Sequence, residues 1–139
     1  MKKSFILLFV LLISIAFFKN SNSQDAYKFR AKYVCFSEKN NYSEWSDWTK
    51  WEETNILIVI NLNDERITIF AKETHYLDIY NSEIDKSGGN QTLFFWTIDE
   101  DGTKCRVRFI YFEDEDYRQI YIDYPRLIVA YSIKPMFQN

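Results

Sequence analysis

The sequence predicts an all-β fold: a single antiparallel meander of about seven to eight strands, closed into a small barrel or half-barrel, with a β-sandwich as the alternative. Three observations carry this. Apolar residues recur with period two rather than 3.6. Turn signals break the pattern at short intervals, which favours hairpin-joined neighbours over long crossings. No segment carries a long helical pattern. A meander exposes two edges unless it closes on itself or folds over, and closure removes them.

The chain opens on a three-part leader rather than a strand. Met1, Lys2 and Lys3 give a positive start, Phe5 to Phe18 is apolar apart from Ser14, and Ser21-Asn22-Ser23 supplies small residues for a signal peptidase. The apolar core is shorter than the ~20 residues of a spanning helix, so cleavage after Ser23 is expected to leave no stable membrane span. The expected organisation is a signal peptide at 1–23 and a single β domain at 24–139. That address is secreted or periplasmic.

The strands follow in turn. Tyr27, Phe29, Ala31, Tyr33 and Cys35 alternate with Lys28, Arg30 and Lys32, the pattern of a half-buried strand. Ile56 to Leu62 is nearly all apolar and reads as a strand covered on both faces. Asn63-Asp64 reads as a tight hairpin turn into Arg66 to Ala71. His75 to Tyr80 continues, and Lys86-Ser87-Gly88-Gly89-Asn90 is the clearest loop. Gln91 to Asp99 and Cys105 to Phe112 flank the turn Asp99-Glu100-Asp101-Gly102. Ile120 to Tyr124 and Leu127 to Ile133 close the series after the acidic loop Glu113 to Asp116.

Charge and composition narrow the function. Losing Lys2, Lys3 and Lys19 with the leader lowers the net charge from −3 to −6. Such a chain lacks the clustered cations that neutralise phosphates, so nucleic acid is not an expected partner. Aromatic residues make up 19%, ample apolar surface for a core, which argues against disorder.

Trp45-Ser46-Asp47-Trp48-Thr49-Lys50-Trp51 is the most distinctive run. Spacing of three places Trp45, Trp48 and Trp51 together on a helical or 3₁₀ turn, and Thr49-Lys50-Trp51-Glu52 has the form of a capping box. The cluster reads either as a lid over one barrel end or as a ligand or partner surface. Over these seven residues the run resembles the Trp-rich strand of thrombospondin type 1 repeats and the Trp-Ser-x-Trp-Ser box of cytokine receptors. The former needs more cysteines and the latter sits late in a sandwich domain, so neither implies a function here.

Two basic stripes, Lys28, Arg30 and Lys32 on one strand and Lys104, Arg106 and Arg108 on another, are expected to face outward. They either form solvated walls balanced by Asp123, Glu113 or Glu115, or merge into a patch for an anionic group. Each stripe lies opposite a cysteine. Export and matched facing together predict a Cys35–Cys105 disulfide, contributing about 4 kcal/mol through chain entropy. Two cysteines and the single His75 lack metal-ligand spacing, so no metal is expected. No cofactor motif is present, and no Ser or Cys stands in a nucleophile context, so no catalytic residue is assigned.

The expected barrel is similar in general form to lipocalin-like domains, although the Gly-x-Trp signature is missing near the first strand. The resemblance implies a non-catalytic binding module whose cavity or open end holds an apolar or aromatic small molecule. The alternative is a secreted or periplasmic interaction or inhibitor protein that uses Trp45 to Trp51. Behind both stands a carboxylate-based hydrolase, whose acids would come together only in the fold.

Overall fold

A computed structural model of the chain describes Ala26–Met136; the expected leader at 1–23 lies outside the described residues. Eight strands run in order: β1 (Ala26–Glu38), β2 (Glu52–Asn61), β3 (Arg66–Phe70), β4 (Thr74–Asp85), β5 (Gln91–Asp99), β6 (Lys104–Phe112), β7 (Tyr117–Tyr124) and β8 (Leu127–Pro135). Each pairs antiparallel with the next, and β1 pairs with β8, so the meander is a closed barrel rather than a sandwich. Closure leaves no free edge, which is how a chain this rich in Ile, Phe and Tyr avoids offering a pairing template.

The interior takes one face of every strand. Phe29, Ile58, Ile60, Ile67, Ile69, Leu77, Leu93, Phe95, Val107, Phe109, Ile120 and Ile122 are buried there. The Phe29 and Phe109 rings, from β1 and β6, meet across the barrel at 5.4 Å between centroids. An eight-stranded barrel is just wide enough to be filled in this way.

Two bulges change which face points inward. Ala31 pairs with Ile133 but Tyr33 with Ser132, so Lys32 is an extra residue on β1. Before it, Phe29 and Ala31 are core. After it, Val34 stands opposite the core residue Tyr131, and Tyr33 and Cys35 turn to the outer wall. The unbroken alternation read from Tyr27 to Cys35 is therefore corrected: it breaks at Lys32. On β4, Tyr80 is extra between Ile79 and Asn81 in the same way. Such bulges bend a strand sharply, as closure of a small barrel demands.

Two local readings also change. β2 is covered on one face only; Ile58 and Ile60 are buried while Leu57 and Val59 lie half-buried on the outer wall. The β2–β3 turn is longer than a two-residue hairpin, because Asn61 and Arg66 form the last pair. Its left-handed residue is Glu65 (φ 54°), not Asn63 or Asp64. The Asn61 carboxamide oxygen accepts the Asp64 N–H at 3.0 Å, which starts the turn.

Candidate functional site

Up-and-down strands gather alternate connections at one end. The β1–β2, β3–β4, β5–β6 and β7–β8 connections meet there, while both ends of the described chain lie at the other. That far end is closed by Arg118, which points inward from β7 over the Tyr111 ring at 4.6 Å and pairs with Asp116 at 3.2 Å. Burial lowers the Arg118 pKa, and Asp116 offsets part of the effect.

The near end is open and holds a cavity of about 580 Å³. Its inner wall is apolar, built from Ile69 on β3, Ile122 on β7, and Val129 and Leu127 on β8. Two phenols complete that wall. Tyr131 is only 8% exposed, and its hydroxyl has no hydrogen-bond partner among the described residues. Burial raises the Tyr131 pKa. Burial also pushes the Tyr124 hydroxyl far above the usual phenol range, with the nearby Cys105 thiol, Tyr131, Asp99 and Glu100 adding to the rise. Both phenols therefore stay protonated at neutral pH and can donate or accept.

The rim of this mouth is acidic. Asp99, Glu100 and Asp101 come from the β5–β6 turn, and Glu73 from the β3–β4 turn. The turn folds as it does because the Asp99 carboxylate accepts the N–H groups of Asp101 (2.9 Å) and Thr103 (2.8 Å), with Gly102 at φ 80°. Glu100 reaches back to β4, accepting the Tyr76 N–H at 2.9 Å and lying 3.3 Å from His75 Nδ1. The acids read from sequence as a plain hairpin turn thus form such a turn and also edge a cavity. Among the described residues, no group of three or more His, Cys, Asp or Glu side chains is arranged to hold a metal ion.

The tryptophan run lies elsewhere. It is neither helical nor seated in the mouth: it is an extended strap along the free side of β1 beyond the reach of β2. Thr49 N–H donates to the Phe36 carbonyl and Ser46 N–H to the Glu38 carbonyl, at 3.0 and 2.7 Å. The Thr49 hydroxyl accepts the Phe36 N–H at 3.0 Å instead of capping a helix. Once β2 has ended, β1 has unpaired backbone groups, and the strap satisfies them. Trp48 meets Tyr121 of β7 edge to face at 6.0 Å. Since Cys35 pairs with Ala130 and Ala130 with Tyr121, that contact bridges over the Cys35–Ala130 pair. This explains two buried residues that are not part of the core. Trp45, Trp48 and Trp51 remain 43, 46 and 44% exposed.

The basic stripes do not merge, because β8 and β7 separate β1 from β6. Arg108 forms a two-pronged pair with Asp123 at 2.8 and 2.7 Å, and Arg106 donates to the same carboxylate at 3.0 Å. Arg108 stacks on Tyr121 and Arg106 on Phe94. Asp123 of the neighbour strand thus holds two of the three cations of the second stripe. Lys104 stands exposed at its end. On β1, Lys28 and Lys32 are exposed, and Arg30 lies against the Met136 sulfur at 3.7 Å.

The Cys35–Cys105 disulfide is also corrected. Both are free, buried thiols. Cys35 faces the outer wall under the strap, whereas Cys105 faces the core and lies 3.0 Å from the Thr97 hydroxyl. Three strand spacings of roughly 4.8 Å separate β1 from β6, beyond the ~7 Å Cα reach of a disulfide. The bulge at Lys32, which breaks the alternation, is why matched facing misled. Burial raises both thiol pKa values.

Compared with known proteins, the chain matches no family model, no curated protein and no solved structure.

Proposed function

We propose that this protein is a non-catalytic binding module that takes an apolar or aromatic small molecule into the open mouth of its barrel, and that it works outside the cytoplasm after losing the leader at 1–23. The carrying observation is the cavity. Its volume of about 580 Å³ lies within the range of small-ligand sites. The half-buried Ala71, Leu127 and Val129 of its wall gain from being taken out of water, and the Tyr131 hydroxyl, unpaired among the described residues, supplies one polar point. Native mass spectrometry of protein purified from its own source is expected to show a retained small molecule. The variant Ala71→Trp grows a ring into the mouth from the β3–β4 turn and is expected to lose that molecule while still melting cooperatively. Retention at the parent level would place the ligand elsewhere and refute the reading. N-terminal sequencing of exported protein is expected to begin near Gln24.

A second reading rests on a separate observation. Three indoles, each more than two-fifths exposed, sit on one strap of the outer wall, the kind of aromatic patch that interfaces use. On this reading the protein is a secreted or periplasmic interaction or inhibitor protein. Trp45→Ala with Trp51→Ala would then abolish capture of a protein partner at unchanged melting temperature. A loss of stability alone would assign those rings a covering role.

A further inference from the structure

We propose that the mouth selects a protonated amine carried on an apolar body, in preference to a neutral or anionic molecule of the same shape. This rests on the mouth being a binding site, and adds the charge and donor character of what it holds.

Three observations converge. First, the charge of the rim is one-sided. Glu73, Asp99, Glu100 and Asp101 line the cavity, while among the described residues no Lys or Arg does. His75, the one basic side chain on the wall, is already turned to Glu100. Carboxylates around a low-dielectric recess focus their field into it, so an entering cation gains more than it would on a flat surface. Second, the acids are not all engaged. Asp99 is held by turn N–H groups and Glu100 by Tyr76 and His75, whereas the Glu73 and Asp101 carboxylates make no ion pair or hydrogen bond among the described residues. Third, a hydroxyl with no partner among the described residues lies below the rim. Tyr131 is more than nine-tenths buried and lines the cavity, and its oxygen is not among the sealed, unpaired atoms of the interior, so it opens onto the free space. That hydroxyl offers an acceptor that no described side chain occupies, and a ligand N–H can take it in place of water.

These features fit one ligand geometry. The apolar body rests against Ile69, Ile122 and Val129. The ammonium sits at the boundary, where one N–H reaches the Tyr131 oxygen and the others face the rim carboxylates. The Tyr124 and Tyr131 rings add the attraction of aromatic faces for a cation. A bare metal ion fits less well, because the acids do not converge into a ligand set.

The test compares decylamine, decan-1-ol and decanoate, each below its micellar concentration, by isothermal titration calorimetry. Backbone-amide NMR shifts at 99–101 and 129–131 locate the binding. Decylamine, protonated at neutral pH, is expected to bind about tenfold more tightly than decanol, as two or three partly screened charge contacts allow, with decanoate weakest. Added salt should shrink that preference. Glu73→Gln combined with Asp101→Asn should shrink the preference several-fold in a protein that still melts cooperatively, with Asp99 and Glu100 holding the remainder. Tyr131→Phe should weaken decylamine several-fold in a protein that still folds. Equal binding of decylamine and decanol at the mouth would overturn the charge selection and leave the binding module standing. Tightest binding by decanoate would reverse its sign. Failure of all three to shift the mouth resonances would remove both readings, and a calcium-induced shift of the same amides at lower concentration would make the rim a metal site instead.

Discussion

Tyr124 and Tyr131 tie the stability of the barrel to alkaline pH. Burial raises both phenol pKa values above the ordinary value of 10. Below about pH 9 both are neutral folded or unfolded, and their contribution is fully present. As pH passes 10, the unfolded chain releases protons that the folded barrel retains, so stability falls with rising pH. The melting temperature is therefore expected to be flat up to about pH 8, to begin to fall as the unfolded chain ionises the thiols that the fold keeps buried, and to drop further above about pH 10. A flat profile through that range would show that the two hydroxyls meet water freely. On the outer wall, the carboxylate of Asp123 draws Arg106 and Arg108 together. Its part in balancing the β6 stripe was readable from sequence because outward residues on adjacent antiparallel strands stand side by side. The special position of Tyr131 was not, because a partnerless hydroxyl is defined by what other strands fail to supply.

The strap 39–51 shows how an element acquires a role its own pattern does not announce. Trp45, Trp48 and Trp51 at spacing of three suggested a helical turn, but the backbone groups of β1 beyond β2 draw the segment into an extended path. Trp48 then covers Cys35 through its contact with Tyr121. Trp48→Ala is expected to cost about 1–2 kcal/mol, the value of a partly exposed aromatic contact plus its covering area. It should also speed native-state alkylation of Cys35 while Cys105 stays protected in the core. Thiol counting in unfolded, unreduced protein should find two reactive cysteines; finding none would restore the disulfide. Equal labelling rates for Cys35 in the parent and the variant would show that the strap does not shield it.

In the barrel as a whole, the interior is filled unevenly. Phe29, Phe95 and Phe109 occupy the middle, Arg118 and Tyr111 close the far end, and the near end is left open. Phe29→Ala removes a fully buried ring that links β1 to β6 across the centre, and should lower stability by about 3–5 kcal/mol in denaturant unfolding. A loss below 1 kcal/mol would mean that the middle of the barrel is loosely packed and that the cavity extends further inward.

Seven to eight strands and their hairpin order were legible in the chain because alternation of apolar and polar side chains is a property of the local pleat. The same local pattern suggested closure, since a meander of eight strands must deal with its edges. Three things lay beyond it. The single extra residue at Lys32 reverses the facing of everything after it on β1, and nothing in Ala31-Lys32-Tyr33 marks a bulge. The distance between Cys35 and Cys105 depends on how many strands intervene around the barrel, which closure alone decides. The mouth joins Glu73, Asp101, Tyr124 and Tyr131 from two connections and two strands. Period and turn chemistry act between near neighbours in the chain. A cavity is set by which strand ends meet, and that is settled only when β1 pairs with β8.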